Sequence, residues 1–245
     1  MSSHGISAKE SMIEIRRFYL ALSLLMAVLA TIGFWPQYFR PLMSGGVAAD
    51  TAIHIHAAVY VGWLGLFIFQ CLLVAVGNIR LHRRIGNLGF LYGIGVVVMG
   101  LSITIARFTA KLNDGGIAAV EHTSLAPATD MILFSVFFAA AAYSRFNPER
   151  HKRLMIVAAT SLLIPSIARF VGSFELEPAI RHTVRLLLWL SPIYLAFGYD
   201  IYSRRLAHPT YIIGAIVITL FNFRSPLQYT DTWVSITHWL ASIVD

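Results

Sequence analysis

Charged residues are scarce in this chain of 245 residues: Asp, Glu, Lys and Arg make up 13% of it, against 57% for apolar residues. A soluble domain spends about a quarter of its residues on charged side chains, so this composition excludes a soluble globular enzyme and a disordered chain. The single cysteine, Cys71, can form no disulfide within the chain, which excludes a disulfide scaffold. The mean hydropathy of +0.69 indicates a protein whose segments cross a membrane several times.

The sequence also lacks the alternating pattern of a membrane β-barrel, and it shows no internal repeat. Instead, apolar runs long enough for membrane-spanning helices recur along its length. In hydrocarbon every backbone polar group must pair within its own segment, so these runs are predicted to be helices. We predict an all-α integral membrane protein, a single transmembrane domain over residues 1–245. Its seven-helix bundle is predicted to span at residues 18–35, 53–76, 88–108, 127–143, 154–174, 186–202 and 211–223.

The distribution of Lys and Arg predicts the orientation of the bundle. With the N-terminus inside, the inner segments carry roughly twice as many Lys and Arg residues as the outer segments, as the positive-inside rule requires. The C-terminus is then outside. Near it, Trp233, Ile236, Leu240 and Ile243 recur at helical spacing, which predicts an amphipathic helix lying on the outer interface. The bilayer is the expected partner. Nucleic acid is not expected, because the sequence has no run of basic residues interleaved with aromatic residues.

Two ionisable residues stand out inside the predicted spans, where charges are costly and often functional. Asp130 lies early in the fourth span and Arg169 late in the fifth, so both are expected near the outer surface at similar depth. An ion pair would lower the cost of burying both charges. The pair is interpreted either as a contact that holds two helices together or as part of a substrate or proton site.

Other features of the spans are expected at the same outer end. Pro165 and Pro192 interrupt the fifth and sixth spans, and each removes a helical hydrogen bond. His56, Trp63 and Gln70 are seven residues apart and share one helix face, which we interpret as turned into the bundle. Together with the predicted ion pair, these features predict a polar cavity that opens outward, although ordinary helix kinking explains the prolines equally well.

Four histidines are expected near the outer face, where they are candidate ligands of heme b or a transition metal. His54 and His56 open the second span, His122 precedes the fourth and His182 precedes the sixth. Each of them could also be a solvated or hydrogen-bonded residue without any ligand.

Arginine, lysine and histidine residues recur in three loops of the predicted inner surface. Lipid headgroups are the expected binding partners of such residues, and a membrane protein partner or an anionic group of a cofactor is the alternative. The residues are His82, Arg83, Arg84, His151, Lys152, Arg153 and His208.

Residues 50–95 carry a recognisable signature. A histidine opens the span, Gln70 follows His54 by sixteen residues, and Leu-His-Arg-x-x-Gly stands at residues 81–86. This pattern resembles a family of bacterial multi-pass inner-membrane proteins with a domain of unknown function. A second stretch, His151-Lys152-Arg153-Leu154-Met155, resembles the same pattern more weakly. The resemblance implies a location in the bacterial inner (plasma) membrane and implies no activity or catalytic residue.

Three functions are consistent with these patterns. The first is binding of heme or a metal through the outer histidines, in redox or respiratory-complex assembly. The second is a small-solute transporter or receptor that uses Asp130, Arg169 and the interrupted helices. The third is a structural or partner-binding membrane subunit. No GxSxG, Walker A or GxGxxG motif indicates an enzyme of those classes.

Overall fold

The computed structural model describes residues 8–46, 50–122 and 125–244, with side chains from residue 12 in the first range and 126 in the third. These ranges are helical and contain no strand. We number the helices in chain order: α1 Ala8–Ile32, α2 Arg40–Met43, α3 Thr51–Ala75, α4 Ile79–Gly115, α5 Leu125–Tyr143, α6 Pro148–Ser161, α7 Ile164–Gly172, α8 Pro178–Arg204, α9 Pro209–Asn222 and α10 Asp231–Val244.

Six helical segments in the described ranges are long and apolar enough to cross a membrane, and α6 with α7 form a seventh if the bent pair counts as one span. The chain is therefore an all-α, multi-pass membrane protein. Helix α4 is much longer than its predicted span, because its 37 residues include the basic Leu-His-Arg-x-x-Gly stretch. At about 1.5 Å per residue, such a helix extends well beyond a hydrocarbon core about 30 Å thick.

The connections gather at two ends of the bundle. One end, which we call the Arg153 end, holds the α3–α4, α5–α6 and α8–α9 connections, and His151 there contacts the Ala141 carbonyl. The other end, the Asp130 end, holds the start of α5, the start of α8 and the end of α9, which are joined by hydrogen bonds from Arg224 and Asn222. The bent pair α6–α7 thus carries the chain from the Arg153 end to the Asp130 end.

The break in the fifth span lies at residues 162–163, shortly before Pro165, where the sequence predicts an interruption. Helix α6 ends at Ser161, α7 begins at Ile164, and their axes differ by 42°. The Ser166 hydroxyl next to the break donates to the Leu29 carbonyl at 2.6 Å and accepts from the Gly33 amide at 3.1 Å. The rearranged backbone of α7 is therefore held against the end of α1.

Pro192 has a different outcome, because α8 continues through it. The Leu188 carbonyl, which loses its helical donor, accepts a hydrogen bond from the Ser191 hydroxyl at 2.8 Å. Pro192 itself is buried in the core. This proline therefore opens no unpaired carbonyl toward a cavity.

The hydrophobic core runs through the middle of the bundle and is rich in aromatic rings. Trp189 is fully buried and donates from its indole nitrogen to the Thr160 carbonyl at 2.9 Å. Trp63 meets Phe134 and Phe138 edge to face, with ring centroids 5.5 and 5.2 Å apart. Edge-to-face pairs of this kind add to the burial energy of large rings.

Residues 231–244 form a helix as predicted, α10. Its buried positions are Thr237 and Ala241, and Ala241 packs with Phe108 and Val120 near the end of α4. The predicted apolar face is divided, since Leu240 packs against that cluster while Ile243 is 62% exposed. An exposed apolar row on such a helix is typical of segments that lie in a membrane interface.

Candidate functional site

Arg153 is the most deeply buried charged residue in the described chain, with 1% of its side chain exposed. Its guanidinium donates to both carboxylate oxygens of Asp200, from Nε to Oδ2 and from Nη2 to Oδ1, each at 2.7 Å. The third nitrogen, Nη1, donates to the main chain and the carboxylate of Glu149 at 2.7 and 2.8 Å. Such a two-bond contact is the strongest geometry of an arginine–carboxylate pair.

This geometry corrects one prediction. Arg153 is not part of a basic surface, because Asp200 from α8 neutralises it inside the bundle. Around the pair, Arg204 also contacts Glu149, and the Tyr211 ring lies 5.9 Å from the Arg153 guanidinium. The Tyr211 hydroxyl is 3.0 Å from that of Tyr19. The Arg153 end is thus held together by α1, α6, α8 and α9.

The other predicted basic residues of this end have separate environments. Arg83 and Arg84 are exposed, and Lys152 pairs with Glu149 at 2.9 Å. His208 precedes α9 and accepts at Nδ1 from the Thr210 amide at 3.2 Å, so it caps that helix. Partial burial, together with the nearby charge of Arg153, lowers the pKa of His208 from its ordinary value of 6.5.

At the Asp130 end, the partner of Asp130 is Arg224. The Nη2 of Arg224 lies 2.5 Å from Oδ1 of Asp130, and their side chains are only 12% and 10% exposed. Arg224 stands just after α9, where its Nη1 donates to the Phe221 carbonyl at 2.8 Å. A cation at the C-terminal end of a helix also interacts favourably with the helix dipole.

The predicted pair of Asp130 with Arg169 is therefore wrong. Arg169 donates to the Pro165 carbonyl at 2.8 Å, and its guanidinium lies over the Phe34 ring at 4.6 Å from the centroid. It belongs to another part of the same end, within electrostatic range of His56 and Arg107. Equal depth in the membrane does not specify which way two helices face, and that direction decides the pairing.

Around Arg224 lies a set of polar residues that we call the arginine cluster: Asp130, His182, Arg185, Asn222 and Arg224. His182 and Arg185 are three residues apart on one face of α8. Arg185 Nη2 donates to His182 Nδ1 at 2.9 Å and to Asn222 Oδ1 at 3.4 Å. His182 Nε2 is 2.7 Å from the Asn222 amide, which joins α8 to α9.

Hydrogen-bond donors outnumber acceptors in the arginine cluster. The Nε atoms of Arg185 and Arg224 are both buried and have no hydrogen-bond partner among the described residues. Asp130 is the one carboxylate that pairs with these arginines in the described ranges, so one of the two guanidinium charges has no counter-ion. Arginine keeps its charge at any physiological pH. The cluster therefore offers two buried N–H groups and an uncompensated positive charge.

The four histidines predicted near the outer face do not converge. His54 Nδ1 is 3.0 Å from the Tyr38 hydroxyl, and His122 Nδ1 is 2.9 Å from the Gln228 carbonyl. His182 belongs to the arginine cluster, while the His56 ring lies beside that of Tyr60, tilted by 38° with 4.5 Å between the centroids. Within the described ranges no group of three or more His, Cys, Asp or Glu residues could hold a metal ion.

Trp63 and Gln70 do not line the Asp130 end. Trp63 is 5% exposed and packs in the aromatic core. Gln70 lies near the last turn of α3, and its Oε1 is 3.8 Å from the position that a Cβ on Gly86 would occupy. It therefore belongs to the Arg153 end.

Sequence reasoning missed three residues that carry these contacts: Asp200, Arg185 and Arg224. Asp200 lies inside the predicted sixth span, so the rule that drew attention to Asp130 applies to it equally. Arg185 and Arg224 fall at predicted helix ends, where basic residues are common. No pattern in the sequence distinguishes them from other interfacial arginines.

Comparisons of the chain with known protein families, curated proteins and solved structures find no match.

Proposed function

We propose that this protein is a receptor or transporter that binds a small oxyanion, such as a carboxylate, at the arginine cluster. The observation that carries the proposal is the pair of buried Nε atoms of Arg185 and Arg224, for which the described part of the chain offers no acceptor. A buried N–H without an acceptor costs about 1–3 kcal/mol, and more when the group is charged. An oxyanion placed between the arginines would accept from both and supply the missing negative charge.

Guanidinium groups suit this task. Their planar fork donates two parallel hydrogen bonds to a carboxylate or phosphate, and they are less strongly hydrated than an ammonium group. Both properties favour arginine over lysine in a partly buried anion site. Asn222, which is 5% exposed, adds an amide that can bond the same ligand.

Asp130 has a second role in this proposal, as an internal competitor. Oδ1 of its carboxylate lies 2.5 Å from Nη2 of Arg224, so Asp130 pairs with the guanidinium much as a bound anion would. The carboxylate keeps Arg224 paired when no solute is present, and its repulsion limits how tightly a solute binds.

The predicted orientation gives the site its direction. If the N-terminus is cytoplasmic, the Asp130 end faces the outside of a bacterial inner membrane. The anion would then enter from the outer aqueous phase, in agreement with the predicted outward-opening cavity, although through Arg185 and Arg224 rather than Arg169.

The test is anion binding to the detergent-purified protein. Acetate, succinate, phosphate and chloride are titrated while thermal unfolding is followed, because a ligand at about 100 times its dissociation constant stabilises the folded state by about 2.7 kcal/mol. Arg185→Gln removes one guanidinium without breaking an ion pair, and we expect it to weaken oxyanion binding at least tenfold. Arg181→Gln, one turn earlier on α8 and exposed, is the matched control and should bind as the wild type does.

Asp130→Asn gives an opposite and therefore sharper expectation. Removing the internal carboxylate leaves Arg224 without its partner, so oxyanion affinity should rise and the stabilisation by the ligand should grow. Equal binding by Arg185→Gln, Asp130→Asn and Arg181→Gln would refute the site. Uptake of the identified anion into vesicles would then separate a transporter from a receptor.

A further inference from the structure

Residues from three helices meet at the Arg153 end of the bundle. Gln70 on α3 faces Gly86 on α4, with its Oε1 at 3.8 Å from the position of a Cβ there. The His82 ring, one turn before Gly86, interacts with the main chain of Gln70 and lies within electrostatic range of His151 on α6. Phe90, one turn after Gly86, contacts the His151 ring at 6.5 Å between centroids. We call Gln70, His82 and His151 the inner histidine site.

Three polar atoms of this site have no hydrogen-bond partner among the described residues. Both ends of the Gln70 amide, Nε2 and Oε1, are buried without a hydrogen bond to any described residue, and so is Nδ1 of His82. These three atoms belong to two neighbouring side chains, and the rest of the described Arg153 end has no comparable group of buried polar atoms without partners. Buried polar groups in folded proteins are almost always paired, so these atoms point to a partner that the described residues do not supply.

The tautomer of His151 shows what it offers to that occupant. Its Nδ1 is 2.9 Å from the Ala141 carbonyl, and a carbonyl only accepts, so Nδ1 carries the proton. In a neutral imidazole the other nitrogen, Nε2, then carries a lone pair. A backbone carbonyl that holds one ring nitrogen in this way is the usual second-shell arrangement of a metal-ligating histidine.

The charges around the site do not prevent a cation from binding. Arg153 follows His151 by two residues, but its charge is neutralised by Asp200 and Glu149. Lys152 is paired with Glu149 as well. Arg83, next to His82, is exposed, so water screens its charge.

We propose that His82 and His151 ligate a transition metal at the inner histidine site, either as a bare ion or as the iron of a heme. Imidazole nitrogen is a preferred ligand of zinc, copper, iron and nickel. The Gln70 amide completes or orients the site, with its oxygen toward a bare ion or its nitrogen toward a group bound to the metal. This site is separate from the arginine cluster and does not depend on the anion proposal.

The experiment measures metal and heme in protein purified without chelators. Elemental analysis and the absorption spectrum are recorded first, and protein lacking metal is then titrated with Co²⁺, Cu⁺ and hemin. A Soret band with stoichiometric iron would identify a heme, whereas one equivalent of another metal without a Soret band would identify a bare ion. Single His82→Ala and His151→Ala variants should each reduce the bound species at least tenfold.

The control variants are His56→Ala and His182→Ala, which alter the predicted outer ligands and should retain the metal or heme in full. Where an alanine variant is too unstable to purify, His82→Gln and His151→Gln are used, and X-ray absorption should count one imidazole fewer on the metal. The proposal is overturned if no metal or heme binds the wild-type protein in either preparation. It is equally overturned if the species is lost in His56→Ala or His182→Ala and retained in His82→Ala and His151→Ala.

Discussion

Among single residues, the buried pair of Arg153 and Asp200 carries the clearest energetic consequence. Breaking a buried ion pair from one side leaves the other charge without compensation, at a cost of about 3–5 kcal/mol. We therefore expect Asp200→Asn to lower the free energy of unfolding by about that amount, measured by denaturant titration in mixed micelles. Arg84→Gln, at an exposed position, should change it by less than about 0.5 kcal/mol.

The double variant Arg153→Met with Asp200→Leu tests the cause of that loss. Replacing both members of a buried pair by apolar residues is often neutral or stabilising, so we expect the double variant to recover most of the loss. The single variants Arg153→Met and Asp200→Leu are measured beside it. If the double variant loses the sum of their two losses in unfolding free energy, the side chains are not energetically coupled, and the loss in Asp200→Asn has another origin.

At this same scale, the sequence identified Asp130 correctly as a buried charge and assigned it the wrong partner. Burial depth follows from counting residues along a helix, whereas the direction in which a side chain points depends on how helices pack. Arg224 lies just after α9, and no periodicity in the sequence links it to the start of α5, 94 residues earlier. The same limit explains why Trp63 was expected at a cavity and lies in the aromatic core.

For individual helices, the contact between α1 and α7 depends on one glycine. A Cβ on Gly33 would lie 1.9 Å from the Ser166 carbonyl oxygen, which belongs to the backbone and cannot rotate away. We expect Gly33→Ala to destabilise the protein by about 2 kcal/mol or more, since the helices must separate to admit the methyl group. Gly65→Ala, with no atom within 4 Å of the new Cβ, should be neutral or slightly stabilising in the same thermal unfolding assay.

The start of α9 should make stability depend on pH. His208 caps the helix as an acceptor, a role that only an unprotonated Nδ1 can perform, and its pKa in the folded state is below 6.5. The unfolded chain therefore takes up a proton first as the pH falls below 6.5. The contribution of His208 is fully present above that value and decreases as the pH falls toward the folded-state pKa.

The variant His208→Asn keeps a cap without a titrating ring. Its unfolding free energy should fall less than that of the wild type between pH 8 and pH 5.5, and His208→Ala should be less stable than both at pH 8 by about 1 kcal/mol. The cap would have no part in the pH dependence if wild type and His208→Asn lost stability in parallel over this range.

Most helices could be predicted because each apolar run has one physical reading, a helix with its backbone bonds satisfied internally. Their ends were harder to predict. The first turns of α4 are basic, so its 37-residue length could not be predicted from an apolar run. The bend between α6 and α7 depends on the contact of Ser166 with α1, which the sequence does not show. Pro165 indicated that a break would occur, but not that the chain would restart as a second helix.

For the whole molecule, the number of crossings decides whether the two termini lie on the same side, and the distribution of Lys and Arg predicts which side the N-terminus takes. Because α6 and α7 together carry the chain from one end of the bundle to the other, we expect seven crossings with the N-terminus inside and the C-terminus outside. Alkaline phosphatase, which is active only outside, should be active when fused after Glu175 or at the C-terminus and inactive after Arg84. Activity at Arg84 and inactivity at Glu175 would reverse the orientation, and termini on one side would mean an even number of crossings.

The contacts of Arg153 also bear on how the protein is made. Asp200 follows Arg153 by 47 residues, so during synthesis α6 reaches the membrane while Arg153 has Glu149 but not yet Asp200 as a partner. A lone arginine at the centre of a span costs about 2.5–3.5 kcal/mol on insertion, and Glu149, whose side chain is 43% exposed, offsets only part of the cost for Arg153. Helix α6 must therefore wait at the aqueous boundary or within the translocation machinery until α8 arrives. Chains that stop before Asp200 should be recognised as unfinished by membrane quality control, since they present an arginine that lacks its buried carboxylate partner.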